Sequence, residues 1–326
     1  MPAILCIMPL FLPKESLIVK FESILKAVAG LVFWWLFAHC AHAGPETERL
    51  SVFAANYPLA YFAERIGGDR LAVNFPVPAN VDPPYWEPDA ETIAQIQKAD
   101  MIVLNGADYE KWLTHVSLPK LKEVDTSAGF KQAYINIETA VTHSHGPDGM
   151  HSHAGIAYTT WLDFDQAAKQ AGDLAQALIR RHSDLKPLFL DNLARLQADL
   201  KTLDEALLQV GKASENRPIL GSHPVYQYLA RRYQLNMQSV HWEPNLMPPA
   251  GEWTVLQNIL TGHPARLMIW EAQPNQDVVA RLKAMGITSL VFDPCAQRPA
   301  SGDFLSVMRA NIADLKSAFE RLTTGP

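Results

Sequence analysis

The chain has 326 residues and a formal net charge of -6, with no basic run. That balance argues against nucleic acid as a partner. There is no Ser or Cys nucleophile beside a base, no Gly-rich phosphate loop and no His-Glu-x-x-His pair, so an enzyme is the least supported class.

The N-terminus reads as an export signal. Lys20 and Lys26 precede an apolar run over residues 27–38, and Ala41-His42-Ala43 fits the small-x-small pattern of a cleavage site. A run of about a dozen residues is short for a bilayer span, which takes roughly 20. Residues 1–43 are therefore expected to be removed, leaving a periplasmic chain from Gly44 without a membrane span. Cys40 raises a lipoprotein alternative, disfavoured by His39 directly before it. Cys6 and Cys40 lie in the removed part, so Cys295 has no internal disulfide partner.

From residue 51 apolar strands alternate with amphipathic helices. Strands are expected at 51–56, 71–77, 101–106 and 121–126, with helices at 58–66, 89–99 and, shorter, 109–116. The alternation predicts a parallel sheet covered on both faces. A helix over 165–181 follows, with a break at His182-Ser183-Asp184. From Pro187 to Val210 nothing breaks the chain. Leu193, Leu196, Leu200, Leu203, Leu207 and Val210 recur at spacings of three and four, one apolar seam on a helix of roughly 36 Å. The seam is short for a coiled coil and reads as a rigid spacer between two halves. Strands at 218–222, 237–242, 267–271 and 289–293 then alternate with helices at 225–233, 251–260, 277–285 and 304–322. The fold expected is α/β, two parallel-sheet lobes joined by one long rigid helix. The lobes are residues 44–184 and 213–326, with the linking helix at 185–212.

Ligands of open parallel sheets bind beyond the strands' C-terminal ends. Three polar residues fall there in the second lobe: His223, Glu271 and Asp293. One imidazole and two carboxylates make a partial site for a divalent cation. Taken singly each is more simply a cap or turn residue; three at equivalent strand ends favour a site. His241, near the end of its own strand, is a further candidate, with a packed core histidine as the simpler reading. The loop 142–154 holds His143, His145, His151 and His153 among Gly and Pro residues. Such tracts take borderline metals through neutral imidazole, although a mobile loop loses ordering entropy on binding.

Several stretches together resemble the metal-binding solute-binding proteins of zinc and manganese ABC importers. Asn80-Val-Asp-Pro-Pro-Tyr-Trp-Glu-Pro88 is similar to the family's Asp-Pro-His-x-Trp/Tyr-Glu-Pro signature. Residues 102–106 and 109–113 also match. Trp161-Leu162-Asp163 resembles the His-x-Trp-Leu-Asp motif. Gly221-Ser222-His223, Glu271 and Phe292-Asp293-Pro294 resemble the later ligand motifs. The resemblance implies the metal-type periplasmic binding-protein fold. It implies zinc as cargo, with manganese or another divalent metal as alternatives, and a permease as partner of a monomeric binding protein. His223 matches the family's third histidine, Asp293 its aspartate and Glu271 a position that binds metal in manganese-type members. Pro84 and Thr159 stand where the first two histidines belong, so two imidazoles are missing. The loop histidines or His241 are candidates to replace them. The alternatives are a cleft lined by Tyr85, Trp86, Trp161, Trp242 and Trp270 for a chelated metal or organic solute, and a metal-binding accessory protein without a transport role.

Overall fold

The computed structural model describes residues 49–137, 142–144, 150–152 and 155–324. The expected signal segment with Cys40, and His145 and His153 of the loop, lie outside the described residues.

In the first lobe β1 (Leu50–Ala54), β2 (Leu71–Asn74), β3 (Met101–Leu104) and β4 (Glu123–Asp125) form a parallel sheet in the order β2-β1-β3-β4. Helices α1 (Tyr57–Gly67) and α2 (Ala90–Lys98) belong to this lobe. Both start on a side-chain cap: Asn56 accepts from the Leu59 N–H and Asp89 from the Thr92 N–H, which satisfies donors the first turn leaves open. Short backbone pairs follow: β5 (Asn136–Ile137), β6 (Thr142–Ser144), β7 (Met150–Ser152) and β8 (Gly155–Ile156), pairing antiparallel as β5 with β8 and β6 with β7.

Helices α3 (Phe164–Arg181) and α4 (Lys186–Ala213) come next, separated at His182 to Leu185. The second lobe repeats the first. Strands β9 (Ile219–Gly221), β10 (Met237–Ser239), β11 (Leu267–Trp270) and β12 (Thr288–Val291) make another all-parallel sheet, in the order β10-β9-β11-β12. Its helices are α5 (Gln227–Tyr233), α6 (Ala250–Gly262), α7 (Gln276–Ala284) and α8 (Phe304–Thr324). Two parallel-sheet lobes and one long helix are what the alternation predicts.

The long helix differs from a spacer in one respect. All six seam residues are buried, because α4 packs on α1 and α3 of the first lobe and on α5 and α8 of the second. One apolar cluster therefore runs from Val52 and Phe62 through Leu196, Leu200 and Leu207 to Leu267 and Leu315. Gly211 permits the close crossing with α5: a Cβ there would lie 2.0 Å from the Tyr233 carbonyl oxygen. Separate clusters fill the outer faces of the sheets, around Trp253 and Trp270 in one lobe and Phe53 and Trp112 in the other.

The expected helix at 109–116 is only a 3-10 turn over Lys111–Thr114. Gly106, Ala107 and Asp108 take positive φ in succession. The Glu110 carboxylate then turns back onto the Asn105 and Gly106 N–H groups. A chain bent that way has no room for a regular first turn.

Candidate metal site

In a sheet ordered 2-1-3-4 the first and third strands flank the point where the winding direction reverses, and the crevice beyond their ends is where ligands sit. His223 follows β9 and Glu271 follows β11, one on each side of that crevice. Ladder bonds continue past the strands and fix the rim. Ser222 N–H donates to the Ile269 carbonyl, Trp242 N–H to Ser222 and Phe292 N–H to Trp270. Gly221 is closely surrounded: a Cβ there would lie 2.8 Å from Ser239 Oγ.

His223 is 3 % exposed. Its Nδ1 lies 3.0 Å from Glu271 Oε1, and its Nε2 lies 3.9 Å from Glu243 Oε1. The His241 ring stands perpendicular to it with centroids 6.2 Å apart. The two carboxylates are partly open to solvent while the imidazole lies beneath them. Burial pulls the His223 pKa down. The charge and hydrogen bond of Glu271, followed by the charges of Glu243 and Asp82, more than offset it and leave the pKa raised. Asp293 follows β12 at the same end of the sheet. Its Oδ1 accepts from the Cys295 N–H, and burial first, then the charge of Glu271, raises its pKa.

The first lobe contributes Asp82 and two phenols. Tyr85 ends the 3-10 turn Pro83–Tyr85. Burial is the main reason its pKa is pushed up to about 12, with the charges of Asp82, Glu271 and Glu243 adding to it. Burial likewise raises Tyr158 well above its ordinary value, and Asp82 and Glu271 act on it too. Pro84 is buried in the same turn and has no donor. The buried Thr159 hydroxyl donates to the Val225 carbonyl across the lobes. The equivalent crevice of the first sheet is closed by an amide pair, Asn56 Nδ2 donating to Asn105 Oδ1 at 3.2 Å.

Trp86, Trp161, Trp242 and Trp270 are buried in the apolar clusters. Trp242 lies 4.6 Å from Trp253 and 6.3 Å from Trp270 by ring centroid, and Trp161 Nε1 donates to the Pro294 carbonyl. The aromatic lining expected for an organic solute is thus packing; of the five rings only Tyr85 reaches the rim. In the loop, His143 and His151 are backbone partners across β6 and β7. Among the described residues, no three His, Cys, Asp or Glu side chains stand close enough together to enclose an ion by themselves. A cavity of about 730 Å³ between α4 and α8 is lined by residues such as Leu203, Val210 and Ile312 and by no histidine or cysteine.

Glu243 is the rim residue that the sequence reading passes over. The rule that singles out His223, Glu271 and Asp293 also applies to the strand expected at 237–242, and the residue after it is Glu243.

The family model described as ZnuA, zinc-uptake complex component A periplasmic, matches residues 52–318. The chain is 24% identical over 311 residues to the zinc-binding lipoprotein AdcA of Streptococcus pneumoniae, covering 92% of this chain and 62% of that protein. It therefore spans under two thirds of the length of AdcA. It is 24% identical over 294 residues to the high-affinity zinc uptake system protein ZnuA of Bacillus subtilis, covering 85% and 89%. The crystal structure of the metal-dependent lipoprotein YcdH from Bacillus subtilis superposes with a TM-score of 0.70 at 22% identity, over 82% of this chain and 98% of that one.

Proposed function

The chain belongs to the ZnuA family of periplasmic zinc-uptake components, and from that premise we propose that it is an exported binding protein capturing zinc for an ABC importer. In this reading the chain matures at Gly44 and works in the periplasm as a monomer. Lobes 44–184 and 213–326, joined by the helix at 185–212, present the cargo to a permease. No helix among the described residues is long and apolar enough to cross a membrane. The role is binding rather than catalysis.

The observation that carries the proposal is the buried imidazole of His223, set between the carboxylates of Glu271 and Glu243 at the sheet's crevice. Neutral imidazole with carboxylate suits zinc and its borderline neighbours, manganese being the harder alternative. Asp293 and His241 belong to the surrounding rim. His143, His145, His151 and His153 act as collectors on the loop 142–154.

Calorimetric titration of the metal-stripped protein with zinc tests the proposal, beside His223→Ala and a variant lacking residues 142–154. One-to-one binding that disappears in His223→Ala is expected. Wild-type protein that takes up no zinc, or an unaltered isotherm in His223→Ala, refutes the cleft site; in the second case the zinc belongs to the loop.

A further inference from the structure

Segment 78–85 of the first lobe lies beside the crevice as a flap between two anchors. Val77 and Trp86, at its two ends, are buried in the outer apolar cluster of that lobe. Between them Pro78, Ala79, Asn80 and Asp82 are exposed. The backbone bonds here close local turns, Val81 N–H donating to the Pro78 carbonyl and Tyr85 N–H to Asp82. Pro78, Pro83 and Pro84 fix φ at three positions and stiffen the flap. Its inner side faces the second lobe. Tyr85 lines a small cavity together with Pro224 and Val225, the residues after His223, and Asp82 is close enough for its charge to act on the His223 imidazole.

A side chain of the second lobe reaches across to hold that flap. Gln297 Nε2 donates to the Pro78 carbonyl at 2.8 Å and to the Val81 carbonyl at 2.6 Å, so one amide group uses both its hydrogens on the flap's outer turn. The strap that carries Gln297 is itself fixed to the first lobe. The Pro294 carbonyl accepts from Trp161 Nε1 and the Ala296 carbonyl from the Tyr57 N–H. Arg298 pairs with Glu64 at 2.9 Å and lies over the Tyr57 ring. Between the first two contacts the positive φ of Cys295 turns the chain. A fixed post tied to a stiff flap by one neutral side chain is a latch, because its two bonds can break without disturbing either lobe's core. Two such bonds amount to roughly 5- to 150-fold in an opening equilibrium, the scale of a local opening rather than of unfolding.

Resting on the reading that His223 marks the cargo site, we propose that Gln297 is a positioning residue that latches segment 78–85 beside the crevice, and that release of this latch, with the lobes unmoved, admits and frees the ion. Gln297 is bonded to the flap's backbone, so it slows entry and exit alike and leaves the affinity nearly unchanged.

The test uses the full protein at neutral pH beside Gln297→Glu, which keeps the shape and removes both donors, and Gln297→Ala, each shown by circular dichroism to be folded. Diethyl pyrocarbonate labelling of the metal-free proteins, read histidine by histidine in the mass spectrometer, reports access to the crevice. His223 is expected to label about 10-fold faster in both variants. Exposed His115 and buried His263, which bonds to the Ile219 carbonyl at the start of β9, should label as in the wild type. Zinc release to excess EDTA in stopped flow should quicken by a similar factor, with the calorimetric affinity nearly unchanged. Unaltered labelling of His223 overturns the latch, and so does labelling that rises equally at His263, the mark of a general loosening. Faster labelling of His223 with unaltered zinc release overturns the gating step. A wild type that takes up no zinc fails the zinc reading, and labelling then decides the latch by itself.

Discussion

The hydroxyl of Thr159 donates to the carbonyl of Val225, joining the loop before α3 to the loop before α5 across the two lobes. Thr159 is buried, so the bond is shielded from water. A position that holds a metal ligand in the wider family is here a fastener between lobes. Thr159→Val is expected to lower the unfolding free energy by about 1–3 kcal/mol, the cost of stranding a buried polar partner, while zinc affinity changes less than threefold. Urea unfolding and calorimetry measure the two effects. A folded variant with collapsed zinc affinity would make Thr159 a ligand after all.

The central helix gives a second prediction. Leu200 is fully buried in a cluster that includes residues of both lobes. Leu200→Ala is expected to cost about 2–5 kcal/mol, the range for a leucine truncated in a packed core. Because the cluster is shared, circular dichroism and tryptophan fluorescence should report one coincident transition at a lowered midpoint. Two separated transitions would mean that the lobes unfold independently.

Zinc binding should weaken in acid. The carboxylates around His223 raise its pKa above 6.5 despite burial, and an ion bound to the imidazole has to displace a proton. The apparent affinity is therefore expected to be highest in alkaline solution and to fall as pH drops through the raised pKa. Titrations over a range of pH measure it. A flat profile would show that no imidazole is a ligand.

Glu110 makes stability pH-dependent in the opposite sense from most carboxylates. Burial raises its pKa from 4.5 to about 8, although the Asn105 and Gly106 N–H groups favour the ionised form. The folded state holds the proton more tightly than the unfolded one. Its contribution is whole below 4.5 and is lost as pH climbs through about 8. Glu110→Gln should accordingly gain on the wild type between pH 5 and 9. Urea midpoints that stay parallel across that interval would rule the effect out.

The architecture was legible because its signals are local. Leu193 to Val210 shows its seam directly, and Asn56, Asp89 and Asp163 cap helices as their side chains allow. The motif residues that carry the family resemblance are largely scaffold: Asp163 caps α3, Trp161 ties to Pro294, and Asn105 donates to the Tyr158 carbonyl. This is why the fold could be read with two metal-binding histidines missing. The site was harder, since it depends on which strand ends become neighbours. The order β10-β9-β11-β12 brings Glu243 beside His223 and leaves Asp293 bound to the Cys295 N–H, and no spacing along the chain encodes that. The tryptophans pack in the apolar clusters, the more usual role of aromatic residues at such positions.

A core without a seam leaves the protein nowhere cheap to bend. Swinging one lobe from the other would tear apolar surface from α4 at about 25 cal/mol for every Å² wetted. On the reading proposed above, loaded and empty molecules should therefore have nearly the same silhouette. What would tell them apart is confined to the crevice around His223, a change of charge rather than a change of shape.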